Sequence, residues 1–298
     1  MKKLCFTAMN AVFMLLFTNG LQAQTTQTQL KQVCLDNTEQ FSITSKYVAG
    51  ENYIIQVGLP SGYSSSQKSY PVLYVTDGDV CFGMAKTIAL DGWMGLGNDI
   101  KDIIVVGIGY GQGMDVLLQK RARDLAPSID TVWPIGKPYA KSITGRGADN
   151  FIKFIQLELF PVVNKNYRIN QDSVAIFGHS FGGLFAAYIL FTQPELFKGY
   201  IISSPPIIWN NKSLIKLEAE YFSNHKELDK IVLLDIGSLE NRIPFNEQSL
   251  NLINELSQNI QAHNYEGLTL VTRIFEGETH SSVTSVALSN GLRTLFGK

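Results

Sequence analysis

Several features are missing from this sequence. After the first 23 residues no apolar stretch is long enough to cross a bilayer, so no span is expected in the body of the chain. No Pro/Gly-rich or like-charged tract divides it and no internal repeat is visible, which leaves neither a linker nor an array architecture. Neither sign of charge dominates: 25 Lys and Arg stand against 26 Asp and Glu in 298 residues. Such a balance gives no general reason to expect nucleic acid as a partner. Cysteine is limited to three residues.

What is present begins with a leader. Met1-Lys2-Lys3 supplies a positive start, Ala11 to Phe17 an apolar run too short to span a membrane, and Leu21-Gln22-Ala23 a small-residue end. Residues 1–23 therefore read as a signal peptide, with Gln24 opening the mature chain and an exported, periplasmic or secreted, destination. Cys34 is not at that boundary, so no lipid or membrane anchor is expected. Without Lys2 and Lys3 the rest carries 23 basic and 26 acidic residues, a net charge of −3. Cys34 and Cys81 would then meet oxidising conditions, where they either pair or stay as two buried thiols.

Residues 24–298 fit one large α/β domain. Eight apolar, β-branched-rich runs read as strands: Phe41 to Val48, Tyr53 to Leu59, Pro71 to Thr76, Ile103 to Gly109, Ser173 to Phe177, Gly199 to Ser203, Ile231 to Gly237 and Leu268 to Phe275. The first two alternate and form a hairpin. The later ones are continuous, as strands covered on both faces are. Helical stretches lie near Phe82 to Leu90, Ala148 to Lys165, Gly182 to Phe191, Phe245 to His263 and Ser281 to Phe296. The alternation implies a mainly parallel eight-stranded sheet flanked by helices, with its site beyond the carboxyl ends of the strands. The stretch from Tyr110 to Gly147, rich in Gly and Pro, reads as a long irregular loop over that site.

One motif carries chemistry. Ser173 to Phe177 runs into Gly178-His179-Ser180-Phe181-Gly182-Gly183 and an Ala- and Leu-containing helix, which is a G-x-S-x-G nucleophile elbow in strand–turn–helix context. Ser180 is the expected nucleophile, exposed by a strained turn in which Gly178 and Gly182 remove colliding side chains. Such a hydroxyl needs a base, and the order Ser, acid, His on an α/β-hydrolase fold selects among only four histidines. His280, between the last strand and the last helix, occupies the required place. For the acid, Glu240 follows the strand Ile231 to Gly237, with Asp235 inside that strand as competitor. The oxyanion donors expected are the amides of Phe181 and of Asp79, the latter in the turn Asp77-Gly78-Asp79. Those two aspartates lack a third ligand at a convincing spacing, so no metal is expected.

With these residues in view, the chain resembles the esterase branch of α/β-hydrolases that contains the ferric-enterobactin and related siderophore esterases, as well as esterase D. The resemblance is carried by Tyr70 to Gly78, Arg123-Asp124-Leu125-Ala126-Pro127, Gly147 to Phe151, the GHSFGG elbow, Ser203-Ser204-Pro205 to Trp209, and Gly277 to Ser281. Ala126 and Pro206 depart from that branch's usual Thr and Ser. The resemblance implies a serine carboxylic-ester hydrolase without cofactor. Its implied partner is a small-molecule ester, an anionic ferric siderophore being one candidate; feruloyl or acetyl-sugar esters, acyl transfer and non-catalytic binding are alternatives. Arg121, Arg123 and Trp209 are the expected substrate contacts. From Tyr110 to Gly147 the cations Lys120, Arg121, Arg123, Lys137, Lys141 and Arg146 outnumber the acids by three, an expected basic rim that would attract an anion.

Overall fold

In a computed structural model of the chain, the residues described are 34–89, 99–134, 137–139, 141–142 and 147–298. The signal-peptide reading of residues 1–23 falls outside them. The fold is formed by residues 35–298.

The strands are β1 (Thr38–Thr44), β2 (Asn52–Gly58), β3 (Tyr70–Val75), β4 (Ile104–Gly109), β5 (Ile169–His179), β6 (Gly199–Ser203), β7 (Ile231–Gly237) and β8 (Thr269–Phe275). They form one sheet in the order β1-β2-β4-β3-β5-β6-β7-β8. β1, β2 and β4 pair antiparallel, and every pairing from β4 through β3 to β8 is parallel. All residues of β3, β4 and β6 are buried, which explains their uninterrupted apolar sequence. The first strand begins three residues earlier than its sequence suggests. Thr38 to Gln40 are polar and add pairing at the sheet edge without adding core.

The helices are α1 (Gly78–Ile88), α2 (Met114–Leu125), α3 (Gly147–Phe154), α4 (Phe160–Asn166), α5 (Phe181–Thr192), α6 (Trp209–Asn224), α7 (Ser249–His263) and α8 (Val283–Phe296), with a π turn, Ile155–Leu159, between α3 and α4. α1 and α8 cover one face of the sheet through Phe82, Ala85, Ala287 and Leu288. The other helices pack on the opposite face around Phe151, Leu184, Phe185 and Leu252. α5 is apolar on every side, as a helix between sheet and outer helices must be.

β3 has β4 on one side and β5 on the other, and the helices leaving β3 and β5 go to opposite faces. That divergence is a topological switch point, where an open α/β sheet leaves a crevice for ligands. The turn after β3 and the Ser180 turn after β5 border it.

Two helices depart from the sequence reading. α2 occupies much of the first half of the stretch expected to be irregular. Leu117, Ala122 and Leu125 form its buried stripe, but Gly113 before it and Pro127 after it hide a helix whose charged residues find carboxylates elsewhere in the chain. α6 opens on Asn210, Asn211 and Lys212 in left-handed backbone, so its polar start carries no helical period.

Candidate active site

The elbow is sterically locked. Ser180 sits at φ 59°, ψ −120°, outside the basins that non-glycine residues prefer. A Cβ at Gly178 would stand 1.9 Å from the Gly182 carbonyl oxygen, and one at Gly182 would stand 2.4 Å from Thr76 Oγ1. The Ser180 amide donates to the Ser203 carbonyl at 3.0 Å. The strand, the turn and α5 thus approach too closely for any side chain, and Ser180 is left at the positive end of α5.

Two loops bring the acid to the histidine. The Leu239 amide donates to the Glu278 carbonyl at 3.0 Å, the Ser238 amide to the Phe275 carbonyl at 2.9 Å, and the Gly277 amide to Ser238 Oγ at 2.9 Å. A Cβ at Gly237 would come within 2.4 Å of the Glu278 carbonyl oxygen. Held this tightly, Glu240 Oε2 lies 2.7 Å from His280 Nδ1. Its other oxygen accepts from Ser204 Oγ at 2.5 Å and from the Gly237 amide at 3.1 Å. Glu240 is 1% exposed. Its two buried oxygens thus meet three hydrogen-bonding groups.

Asp235 contrasts with it five residues earlier. It is fully buried and accepts from Ser203 Oγ at 2.8 Å, but its second oxygen has no partner among the described residues. Burial pushes its pKa well above the usual carboxylate range, and the Ser203 bond only partly opposes this. Ser203 Oγ also lies 3.3 Å from His179 Nδ1. The His179 ring packs 4.6 Å from that of His280, and its pKa is pushed well below the imidazole range by burial first and by His280 and Arg121 next.

Ser180, Glu240 and His280 line one cavity of about 220 Å³. Ser180 and His280 share it without a direct hydrogen bond, a spacing that unliganded sites often show. The rest of its wall is largely apolar, including Trp133, Phe181, Ile208, Ile236 and Leu252, with Arg121 as its one cation among the described residues. Trp133, Ile208 and Leu252 had no sequence signal beyond ordinary apolarity. Ser204, which supports Glu240, was visible only as part of the Ser-Ser-Pro segment.

Arg121 holds the two turns of the switch point together. Its Nε and Nη2 donate to the two oxygens of Asp77 at 2.7 and 2.8 Å, and Nη2 also reaches the His179 carbonyl at 3.4 Å. Burial opposes its charge, the Asp77 carboxylate outweighs that, and its pKa is raised. Asp79 is equally occupied: its carboxylate accepts from the Tyr110 and Gly111 amides at 2.6 and 2.8 Å. Asp77 and Asp79 are thus structural parts of the turn after β3.

Three expectations need correction. Trp209 is fully buried, donates to the Ser128 carbonyl at 3.1 Å and packs edge-on against Phe181. It supports the wall and is not part of it. Arg123 faces away from the cavity, in a bidentate pair with Asp124 at 2.6 and 2.8 Å and a further bond to Glu51 at 3.0 Å. Asp124, fully buried, also accepts from the Tyr53 and Tyr110 hydroxyls at 2.6 and 3.1 Å, so the Arg-Asp-Leu segment is a core network. Half of the basic rim is neutralised, since Lys120 pairs with Glu51 at 2.6 Å and Arg121 and Arg123 are paired as above. Of its other cations, Lys137 and Lys141 are exposed and Arg146 falls outside the described residues. Cys34 and Cys81 are both free, the first exposed and the second buried, with burial pushing the Cys81 thiol up to about 12.

Comparison with known proteins points one way. Residues 45–283 match the family described as "Putative esterase". The chain is similar to the siderophore triacetylfusarinine C esterase of Aspergillus fumigatus, 31% identical over 89% of this chain and 94% of that one. It is also similar to the ferri-bacillibactin esterase BesA of Bacillus subtilis, 30% identical over 75% of this chain and 78% of the other. Among solved structures, the BES protein from Bacillus cereus superposes with a TM-score of 0.78 at 35% identity, covering 90% of this chain and 99% of its own.

Proposed function

The chain belongs to the Putative esterase family of carboxylic ester hydrolases, and from that premise we propose that it cleaves ester bonds of a siderophore through a Ser180–His280–Glu240 triad. The observation that carries the mechanism is the 2.7 Å contact of His280 Nδ1 with Glu240 beside Ser180 in one cavity. Nδ1–H donates to the carboxylate, which leaves Nε2 unprotonated and able to accept the serine proton. Ser180 Oγ attacks the ester carbonyl, and the Phe181 and Asp79 amides donate to the oxyanion, each such donor being worth about 3 kcal/mol in the transition state. His280 protonates the leaving alcohol. Water, deprotonated by the same ring, then cleaves the acyl-enzyme. Asp235 takes no part in this mechanism, because it is bonded to Ser203 while Glu240 is the carboxylate that meets His280 Nδ1.

The substrate class rests on relatives that are named siderophore esterases. Export from the cytoplasm, read from residues 1–23, belongs to the same proposal. The experiment is a hydrolysis screen of a triscatecholate trilactone, a hydroxamate ester siderophore, feruloyl esters, acetylated sugars and p-nitrophenyl butyrate. A kcat/KM for either siderophore at least tenfold above the feruloyl and sugar esters supports the reading. Preference for feruloyl or acetyl-sugar esters overturns the substrate class while leaving the triad intact.

A further inference from the structure

A second concavity adjoins the Ser180 cavity. It has a volume of about 380 Å³, and Trp133 and Ile208 are walls of both. Val132, Asn211, Lys212 and Phe245 form much of the remainder. We propose that this second cavity binds an aromatic arm of the same substrate molecule, while the ester of another arm is held at Ser180. The inference rests on the ester hydrolysis proposed above and adds the recognition of a multi-armed ester.

Four observations carry it. The first is continuity: with Trp133 and Ile208 as a common partition, a branched molecule can place one group on each side of it. The second is exposure. Val132 and Phe245 are 62% and 56% exposed; single exposed apolar side chains are ordinary, but these two face one hollow next to the reactive serine.

The third is that the hollow is held open by bonds rather than left as a loop surface. Buried Asp130 accepts from the Val132 and Trp133 amides at 2.7 and 3.0 Å with one oxygen, and from the Asn210 amide at 2.9 Å with the other. Trp133 Nε1 donates to the Phe245 carbonyl at 2.9 Å. Three separate chain segments are thereby fixed around the space, the kind of preorganisation that lowers the cost of binding.

The fourth is strain. Asn210, Asn211 and Lys212 are consecutive left-handed residues, and Phe245 has φ 65°. Left-handed non-glycine backbone is unfavourable and collects at ligand clamps. Here both strained segments border this cavity.

The lining selects the occupant. Val132, Trp133, Ile208 and Phe245 offer flat and branched apolar surface, while Lys212, in an exposed pair with Glu255 at 2.9 Å, and Asn211 supply polar groups. This suits a planar aromatic ring with oxygen substituents better than a free small anion, because Lys212, the one cation among the described lining residues, is already paired.

The test compares the parent with Val132→Asp, Phe245→Ala and the double variant on three esters. These are the trilactone of N-(2,3-dihydroxybenzoyl)serine, the methyl ester of a single N-(2,3-dihydroxybenzoyl)serine, and p-nitrophenyl butyrate. Val132 is exposed and Phe245→Ala keeps the backbone carbonyl that holds Trp133, so both variants fold. Expected is a fall in kcat/KM of about tenfold on the trilactone in the double variant, the scale of losing one buried aromatic contact, with both single-arm esters within twofold of the parent. Equal losses on all three esters, or no loss on the trilactone, overturn the second subsite and leave the esterase reading standing. A parent that hydrolyses p-nitrophenyl butyrate but neither catechol ester overturns the aromatic subsite, and the siderophore reading falls with it only if the hydroxamate ester siderophore is left uncut as well.

Discussion

The floor and the wall of the Ser180 cavity are held in different ways. The floor, made by the carboxyl ends of β5, β6 and β7 and the His280 turn, is fixed by backbone contacts. Gly178, Gly182 and Gly237 leave no room for a Cβ, and main-chain bonds join the 237–240 and 275–280 turns. The wall, which draws on Arg121, Trp133, Pro205 to Ile208, Ile243, Asn246 and Ser249, is tied by side chains. Asp77 holds Arg121, Asp130 holds three amides, and Trp133 holds the Phe245 carbonyl. Backbone locking gives the reacting groups a geometry that few substitutions can adjust by degrees. Side-chain ties leave the wall open to replacement, so under the proposed mechanism the floor would carry the reaction and the wall the choice of substrate.

That contrast breaks most sharply at Ser180. Ser180→Ala should lower kcat on p-nitrophenyl butyrate by about 10³-fold or more. Its melting temperature should stay within about 2 °C, because alanine is no more strained than serine at that φ. Activity within tenfold of the parent would mean that the nucleophile lies elsewhere. Next in size, Glu240→Gln should reduce kcat on the order of 10²-fold with little change in KM, since the amide no longer supports the imidazolium. Steady-state kinetics on the same ester decides it.

On the other side of the comparison, Arg123→Ala should act through stability and hardly on chemistry. It leaves Asp124 buried without its cation, a loss of about 3 kcal/mol, visible as a lower midpoint in urea. Should kcat/KM on a siderophore fall in Arg123→Ala at a temperature where the protein is fully folded, the residue contacts substrate after all.

The smallest effect concerns Asp235. Its folded-state pKa is raised by burial, so the native protein keeps a proton that the unfolded chain releases above about pH 4. Between those two pKa values the native state binds more protons, and stability falls as pH rises. Asp235→Asn removes that slope while leaving kcat within about threefold. His179 has the opposite sign, its depressed pKa costing stability as pH falls below about 6.5. Because it is present in both proteins, the difference in melting temperature between variant and parent across pH 5–8 isolates Asp235. A variant that stays folded but loses turnover as Glu240→Gln does would make Asp235 the triad acid.

Most of the floor was legible in the sequence and much of the wall was not. Buried strands announce themselves as continuous apolar runs, and the elbow requires its glycines at fixed offsets from Ser180. His280 follows from chain order, which allowed Glu240 and Asp235 alike as the acid. The wall depends on partners far away in sequence. Arg121 finds Asp77 and Arg123 finds Glu51, both across the fold, so charges that look free in the sequence are spent in pairs. Trp209 attracted attention as an aromatic near the site, yet packing between Phe181 and Trp133 buries it. α2 was hidden because its stripe of Leu117, Ala122 and Leu125 is interrupted by residues whose role is set by tertiary contacts.

The claim on which everything else depends is that ester cleavage proceeds through Ser180. Treating the protein with diisopropyl fluorophosphate and following adduct mass alongside residual esterase activity tests it directly. One phosphoryl adduct should form, map to the peptide containing Ser180, and rise in step with the loss of activity, with none on Ser180→Ala. Full activity in protein modified at Ser180, or inactivation with the label on another residue, would contradict the account.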